Sequence, residues 1–215
     1  MEHIQLRPEE PADYRNVEVL TREAFWNRHL PGCNEHYLLH IMRDTGSFIH
    51  ELDTIAETGG KIVGNIICTR GNVKGDDGNN YEVLCLGPIA VLPDFQGQGI
   101  GSRLIEHTKK RAKEMGYRAI FLYGDPGYYS KFGFVAAEQY EIGTPDNMYA
   151  DPLQALELYD GALAGGKGRF FEDPVFEIDE TATAEFDRLF PPKEKHDDLP
   201  SQDRFHALVG MRRAR

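Results

Sequence analysis

Cysteine is scarce in this 215-residue chain: there are three, Cys33, Cys68 and Cys85, and no two share a paired spacing. An odd, scattered set argues against both a disulfide scaffold and a zinc knuckle and reads as reduced, mostly buried thiols. No stretch approaches the roughly 18 uncharged apolar residues that a membrane span needs. The start, MEHIQLRPEE, carries acid where a secretory signal would carry a basic and then an apolar run. These absences predict a cytoplasmic protein without membrane association. Basic charge is short as well, with 24 Lys and Arg against 35 Asp and Glu and a net charge of −11. A field of that sign repels phosphate backbones, so no nucleic-acid partner is expected. Internal repeats and low-complexity segments are also missing.

What is present suffices for a core: 40% of residues are apolar and 11% aromatic, enough for one domain or one domain with an appendage. The pattern is mixed α and β. Ile4 and Leu6 alternate in a short strand ending at Pro8, and Asp13 to Phe25 has helical spacing. His36 to Arg43 reads as a second helix, and Leu52 to Glu57 with Lys61 to Arg70 as a hairpin turned at Gly59-Gly60. Gly71 to Asn80 is expected to be a polar turn, and Tyr81 to Val91 the most buried strand. Gly99 to Met115 places Leu104, Ile105, Thr108, Ala112 and Met115 on one helical face, and Arg118 to Tyr123 supplies a further strand. Near the end, DPLQALELY is read as helix-like, and the tail from residue 180 as a partly ordered arm packing on the domain or on a partner chain, which leaves a homodimer open.

The chemistry lies in the strand, glycine loop, helix and strand at the centre. Gln96-Gly97-Gln98-Gly99-Ile100-Gly101-Ser102 sits where backbone N–H groups and a helix N-terminus can converge on one anion, an arrangement suited to a pyrophosphate. Glycines let the phosphates approach the backbone. The dinucleotide fingerprint would need glycine at position 102 and finds Ser102; the Walker A ending is absent too. What fits is Gln-x-x-Gly-x-Gly shortly after Val91-Leu92-Pro93, and here the chain resembles the GCN5-related N-acetyltransferase (GNAT) superfamily, whose acetyl-CoA motif has this form. Tyr128-Tyr129-Ser130-Lys131-Phe132-Gly133-Phe134 is similar to the family's segment over the sulfur end of the cofactor. The resemblance implies an α/β fold (α+β in some schemes) with a central mixed, mostly antiparallel sheet flanked by helices. It covers an acetyl-CoA-binding core over residues 1–142, leaving 143–215 as an extension completing or packing on the same domain. PGCNEHY and ALELYDGALAGGKGRF look like markers of one branch of predicted bacterial acetyltransferases.

Carried over residue by residue, the resemblance implies that Ile89, Ala90 and Val91 offer backbone groups to the pantetheine arm. Gln96, Gly97, Gln98, Gly99, Ile100, Gly101 and Ser102 then hold the pyrophosphate. Six basic residues against three acidic ones between Val91 and Arg118 agree with phosphate there, although Lys109 to Lys113 also read as the solvated face of a helix. Tyr129, four residues before Gly133, matches the family's general acid, and a phenol of pKa about 10 stays protonated at neutral pH. The alternative is that both tyrosines merely pack beneath the arm. Gly124-Asp125-Pro126-Gly127 is shorter than the family's asparagine-bearing helix, so no asparagine contact is implied.

For the base, Glu35 and His36 are nominated because the resemblance places their loop and helix beside the acceptor pocket, with Glu82 on the central strand as a further nominee. His36 and His40 have the i, i+4 spacing of a metal pair, but no third ligand has a recognisable spacing and no HExxH occurs, so no metal is expected. Cys33 is read as an ordinary thiol, since direct transfer needs no acyl-enzyme. The expected activity is direct transfer of an acetyl group from acetyl-CoA, the acyl donor, to a primary amine of a small molecule or peptide, with the negative charge favouring a cationic acceptor. A CoA-binding regulatory module without turnover is the alternative; an unrelated nucleotide binder lacks its motifs.

Overall fold

The computed structural model describes residues 4–215; the first three residues, part of the start discussed above, lie outside it. The early elements follow the hydrophobic pattern: strand β1 (Gln5–Pro8), helices α1 (Tyr14–Phe25) and α2 (Glu35–Met42), then strands β2 (Thr54–Thr58), β3 (Lys61–Gly75) and β4 (Asn80–Val91). Helix α3 (Ile100–Glu114), strand β5 (Ala119–Tyr123) and a short helix α4 (Pro126–Tyr129) come next. Strands β6 (Val135–Ala136), β7 (Ile142–Gly143), β8 (Met148–Ala150), β9 (Leu153–Glu157) and β10 (Gly168–Phe171) precede helices α5 (Glu180–Asp187) and α6 (Pro200–Gly210) and strand β11 (Arg212–Ala214).

Nine strands form one sheet in the order β1-β2-β3-β4-β5-β9-β6, with β10 on β3 and β7 on β10. Among the described residues only β4–β5 and β7–β10 are parallel, so the sheet is mixed and mostly antiparallel, as the resemblance implies. Strand alternation sorts the core into two faces. Leu84 and Leu86 of β4, with Ile120 and Leu122 of β5, pack against Ile100, Leu104, Ile105 and Ala112 of α3. Val83, Cys85, Ala119 and Phe121 face the other way, onto Phe170 and Leu153. On that second side a third cluster joins Val17 of α1, Leu38, Leu39 and Met42 of α2, and Ile55 and Ile67 of the sheet. Each fully buried Leu or Ile contributes about 1.5–3 kcal/mol, so burial on both faces fixes the register of β4 and β5.

Two segments differ from expectation. Gly71 to Gly75 continues β3 instead of turning, because β10 pairs with Asn72–Gly75 and the Phe170 ring fills the space beside Gly71. DPLQALELY contains strand β9, not a helix. Its Leu153 and Ala155 are buried and pair with Tyr123 and Phe121 of β5, so sheet pairing overrides the helical propensity of Leu, Gln, Ala and Glu.

The tail is ordered against the N-terminal helices. Arg22 of α1, 2% exposed, donates to both carboxylate oxygens of Asp187 at 2.6 and 3.2 Å. Helix α6 spans from the α1–α2 loop, where Phe205 stacks on His29 at 4.7 Å, to the β5–α4 turn, where Arg204 donates to both oxygens of Asp125 at 3.1 Å. The closing basic cluster is matched by acid: Arg212 pairs with Asp146 and Arg213 with Asp151, as β11 pairs with β8. Among the described residues no helix is long and apolar enough to cross a membrane.

Candidate active site

Strands β4 and β5 are joined at only two positions, Leu84–Ile120 and Cys85–Phe121. Beyond Cys85 the strands part, and Leu86 to Val91 keep β3 on one edge with no strand on the other among the described residues. A bulge contributes: between the pairs Ile66–Ile89 and Cys68–Leu86, one residue of β3 faces two of β4, which bends β4 and adds local twist. The unpaired edge therefore includes Ile89, Ala90 and Val91.

Directly after this edge the chain turns through Gln96 to Gly99 into α3. Gly97 (φ 74°) and Gly99 (φ 82°) hold left-handed backbone that other L-residues adopt only with strain. A β-carbon at either would meet nothing within 4 Å, so the loop surface is open at both positions. Gln96 donates its side-chain amide to the Val91 carbonyl at 2.9 Å, and Gln98 donates to the Asp94 carbonyl at 3.1 Å. These two side chains thus brace the loop from within. The Arg103 N–H donates to the Gly99 carbonyl at 3.0 Å, but among the described residues no acceptor takes the N–H groups of Gly97 through Ser102. A run of unpaired N–H groups at the N-terminus of a long helix provides converging donors and a partial positive charge for an anion.

The opposite lip is the segment after β5. The Tyr129 ring occupies the space where a side chain at Gly124 would go and packs on Phe134 at 5.7 Å and Tyr128 at 5.0 Å. Nothing among the described residues hydrogen bonds to its hydroxyl, and burial raises its pKa, so the phenol is protonated at any physiological pH. The Tyr128 hydroxyl reaches the glycine loop and lies 3.0 Å from where a β-carbon on Gly101 would be; Ile89 and Val91 lie 3.9 Å from the same point. The loop, the open edge of β4 and the tyrosine segment therefore surround one opening.

Comparison with known proteins agrees with this geometry. Residues 48–136 match the profile of the Acetyltransferase (GNAT) domain. The uncharacterized N-acetyltransferase YhbS of Escherichia coli K12 is 28% identical over 163 residues, which are 76% of this chain and 92% of the relative. The crystal structure of E. coli YhbS in complex with CoA superposes with a TM-score of 0.72 at 25% identity, covering 83% of this chain and 94% of the other. A GNAT family acetyltransferase from Brucella melitensis in complex with acetyl-CoA gives 0.66 at 26% identity, covering 82% and 99%. These comparisons support the GNAT acetyltransferase superfamily for this chain, with residues 48–136 as the matched domain.

Against that GNAT frame the nominated bases fall in different surroundings. His36 is 0% exposed, enclosed by Phe186 and Phe190 at 5.5 and 5.1 Å, and burial lowers its pKa to about 4. It stands between Cys33, whose Sγ is 3.4 Å from Nδ1, and Asp187, whose Oδ1 is 3.2 Å from Nε2. This row is not a nucleophile and base: burial raises the Cys33 thiol, holding it protonated, and Arg22 already engages Asp187. His40 is turned outward and contacts Glu18 at 2.9 Å, so the two histidines do not converge on one point. Glu35 contacts His29 Nδ1 at 3.0 Å and accepts from the Asn34 N–H at 3.1 Å, which ties it to its own loop. Glu82 pairs with Asn72 and lines an open cavity of about 460 Å³ with Arg70, Asn72, Lys74 and Glu172.

The charges near the loop also separate. Lys109 donates to the Phe132 carbonyl at 2.8 Å, and Arg111 pairs with Glu114 at 2.9 Å, so both are spent on the helix surface. Arg103 is exposed in the first turn of α3 and has no ion-pair partner among the described residues. Sequence reasoning missed Lys131, 4.2 Å from the Tyr128 ring centre, and Arg28, which opposes the burial that raises the Tyr128 phenol. Lys131 could have been found from its place inside the tyrosine segment. Arg28 could not, because only folding brings the α1–α2 loop to Tyr128.

The buried His36 gives a pH prediction. An unfolded imidazole titrates near 6.5, while the folded one, near 4, resists protonation. Its contribution is therefore fully present above pH 6.5 and is lost as the pH falls toward 4, by up to about 3 kcal/mol. Urea midpoints measured at pH 7, 5.5 and 4.5 are expected to fall for the wild type and to fall less steeply for His36→Gln. Parallel pH slopes would assign the acid loss to other groups.

Proposed function

We propose that this GNAT acetyltransferase moves the acetyl group of acetyl-CoA directly to the primary amine of a small cationic molecule in the cytoplasm. The observation that carries this reading is the run of unpaired N–H groups from Gly97 to Ser102 opening beside the unpaired edge of β4. Gly97, Gly99, Ile100, Gly101 and Ser102 offer the donors for the pyrophosphate, Gln96 and Gln98 keep the loop in shape, and Arg103 adds charge nearby. Ile89, Ala90 and Val91 bind the pantetheine arm through backbone groups, and one of their N–H groups polarises the acetyl carbonyl. Acetyl-CoA supplies an activated thioester carbonyl and a thiolate leaving group. Tyr129, protonated and at the opposite lip, gives that sulfur its proton. The net charge of −11 favours the approach of a cationic amine over an anionic one. The complexes of YhbS with CoA and of the Brucella protein with acetyl-CoA support the donor.

Calorimetric titration with acetyl-CoA and CoA, followed by a thiol-release screen over polyamines, amino sugars, amino-acid amides and short peptides, tests the reading. One-to-one binding and release on a small amine are expected. Absence of binding would overturn it, and binding without release on any amine would favour a CoA-binding module without turnover. Glu35→Gln is expected to leave the pH dependence of release unchanged, because its carboxylate is engaged by His29 and Asn34; a shifted acid limb would return it to the base role.

A further inference from the structure

Tyr129 provides a donor for the leaving sulfur, yet Glu35 is held by His29 and Asn34 and His36 is enclosed, and of the two carboxylates lining the 460 Å³ cavity it is Glu172, not Glu82, that contacts Cys85 where β4 and β5 part. We propose that Glu172 is the catalytic base of the transfer, taking the ammonium proton of the acceptor at the apex where β4 and β5 part. The proposal rests on the N-acetyltransferase reading above.

The topology brings this side chain in from far along the sequence. Strand β10 adds to the edge of β3, and Phe170 stacks on Phe121 of β5 at 4.7 Å with nearly parallel rings. Phe170 thereby belongs to the sheet face away from α3, and Glu172, just beyond the end of β10, reaches Cys85 of that face. Its Oε2 accepts from the Cys85 thiol at 3.9 Å. Cys85 is the last residue of β4 that is paired with β5, so the carboxyl sits at the base of the opening. Tyr129 packs with the α3-side layer, whereas Cys85 and Phe121 belong to the opposite one. Tyr129 and the Cys85 that Glu172 contacts thus lie on opposite faces of the sheet, with the parted strands between them. Glu172 also lines the open cavity of about 460 Å³, which gives an accepted proton a route to bulk water.

The surroundings suit a base that works near neutrality. Burial pushes the Glu172 carboxyl up to about 7, Glu177 pushes the same way, and the Cys85 thiol opposes them. Cys85 itself stays protonated, because burial raises it well above its usual range. Tyr123 at the end of β5 and Asp173 beside β10 also face this point, Arg70, Lys74 and Glu82 line the same cavity from β3 and β4, and the Arg212–Asp146 pair near Tyr123 is internally neutralised.

The protons balance. One ammonium proton goes to Glu172 and on to solvent. The freed lone pair forms the C–N bond to the acetyl carbon while the C–S pair leaves on sulfur. Tyr129 protonates that sulfur and is itself restored by the second nitrogen proton. The products are the amide, the CoA thiol and one released proton.

The test compares wild type, Glu172→Gln and Glu172→Asp with acetyl-CoA and three probe amines: spermidine, ethanolamine and phenethylamine. For Glu172→Gln, kcat/KM for a reactive amine is expected to fall about a hundredfold and the acid limb near pH 7 to disappear, with acetyl-CoA affinity unchanged. Glu172→Asp should restore part of the rate and the limb. If the glutamine variant keeps both rate and limb, the base assignment falls while the transferase reading stands; if the wild type does not bind acetyl-CoA, both fall. Should all three amines be inert, the carboxyl titration itself decides. The infrared difference between wild type and Glu172→Gln must then show a protonated carboxyl band that disappears with a midpoint near pH 7, and a midpoint below pH 5 overturns the proposal.

Discussion

Replacing Gly99 with valine is expected to weaken acetyl-CoA binding by at least about a hundredfold, a loss of about 3 kcal/mol. Two effects combine. Gly99 has φ 82°, a conformation in which a β-branched residue is strained by about 1–3 kcal/mol, so the loop must shift and its N–H groups lose their common direction. Even without a shift, the new side chain would occupy the open surface where the pyrophosphate is proposed to approach. A hydrogen bond to a charged group contributes about 1.5–3 kcal/mol net, so disturbing two of the six donors accounts for the whole effect. Because a β-carbon at this position meets no other part of the protein within 4 Å, the core should survive with only a modest drop in melting temperature. Calorimetry alongside thermal unfolding checks both halves. An affinity within tenfold of the wild type would remove the loop from the phosphate site.

Tyr129→Phe should separate binding from chemistry. The ring packs on Gly124, Phe134 and Tyr128, and phenylalanine preserves those contacts while deleting a hydroxyl that has no protein partner among the described residues. Acetyl-CoA affinity should therefore stay within about threefold, whereas kcat falls by about a hundredfold, the lower range for loss of a general acid. Burial raises the Tyr129 phenol above its ordinary range, so it should contribute no alkaline limb to the wild-type profile below pH 10. A rate within twofold of the wild type across pH would give thiolate protonation to water or to another group.

The parts of this molecule that could be read from its sequence are those whose signals are local. Val91, the glycines at 97, 99 and 101, and the amphipathic run from Ile100 lie within one short stretch, and each residue's role there depends on neighbours a few positions away. The same holds for Tyr129 and Gly133. Where the deciding partner is remote, the pattern misleads. Leu153 to Glu157 has helix-forming residues, but β5 presents a free edge that takes it as a strand. Asn72 to Gly75 is polar enough for a turn, but β10 extends it. Glu172 meets Cys85 across 87 positions, and nothing near either residue marks that encounter. His36 stands in a motif-like stretch, and only Phe186 and Phe190 from the tail reveal it as an enclosed neutral imidazole.

The ion pair between Arg22 and Asp187 also sets an order of events during synthesis. The guanidinium of helix α1 is matched by a carboxylate made 165 residues later. Asp187 and the Phe190 ring beside Arg22 come from the same late segment, so Arg22 leaves water only as that segment docks, and losing the carboxylate after docking would cost about 3–5 kcal/mol. The β4–α3–β5 unit has its partners close in sequence and can assemble earlier, since short loops close at lower entropic cost. That unit should therefore form before the segment carrying Asp187 closes over Arg22.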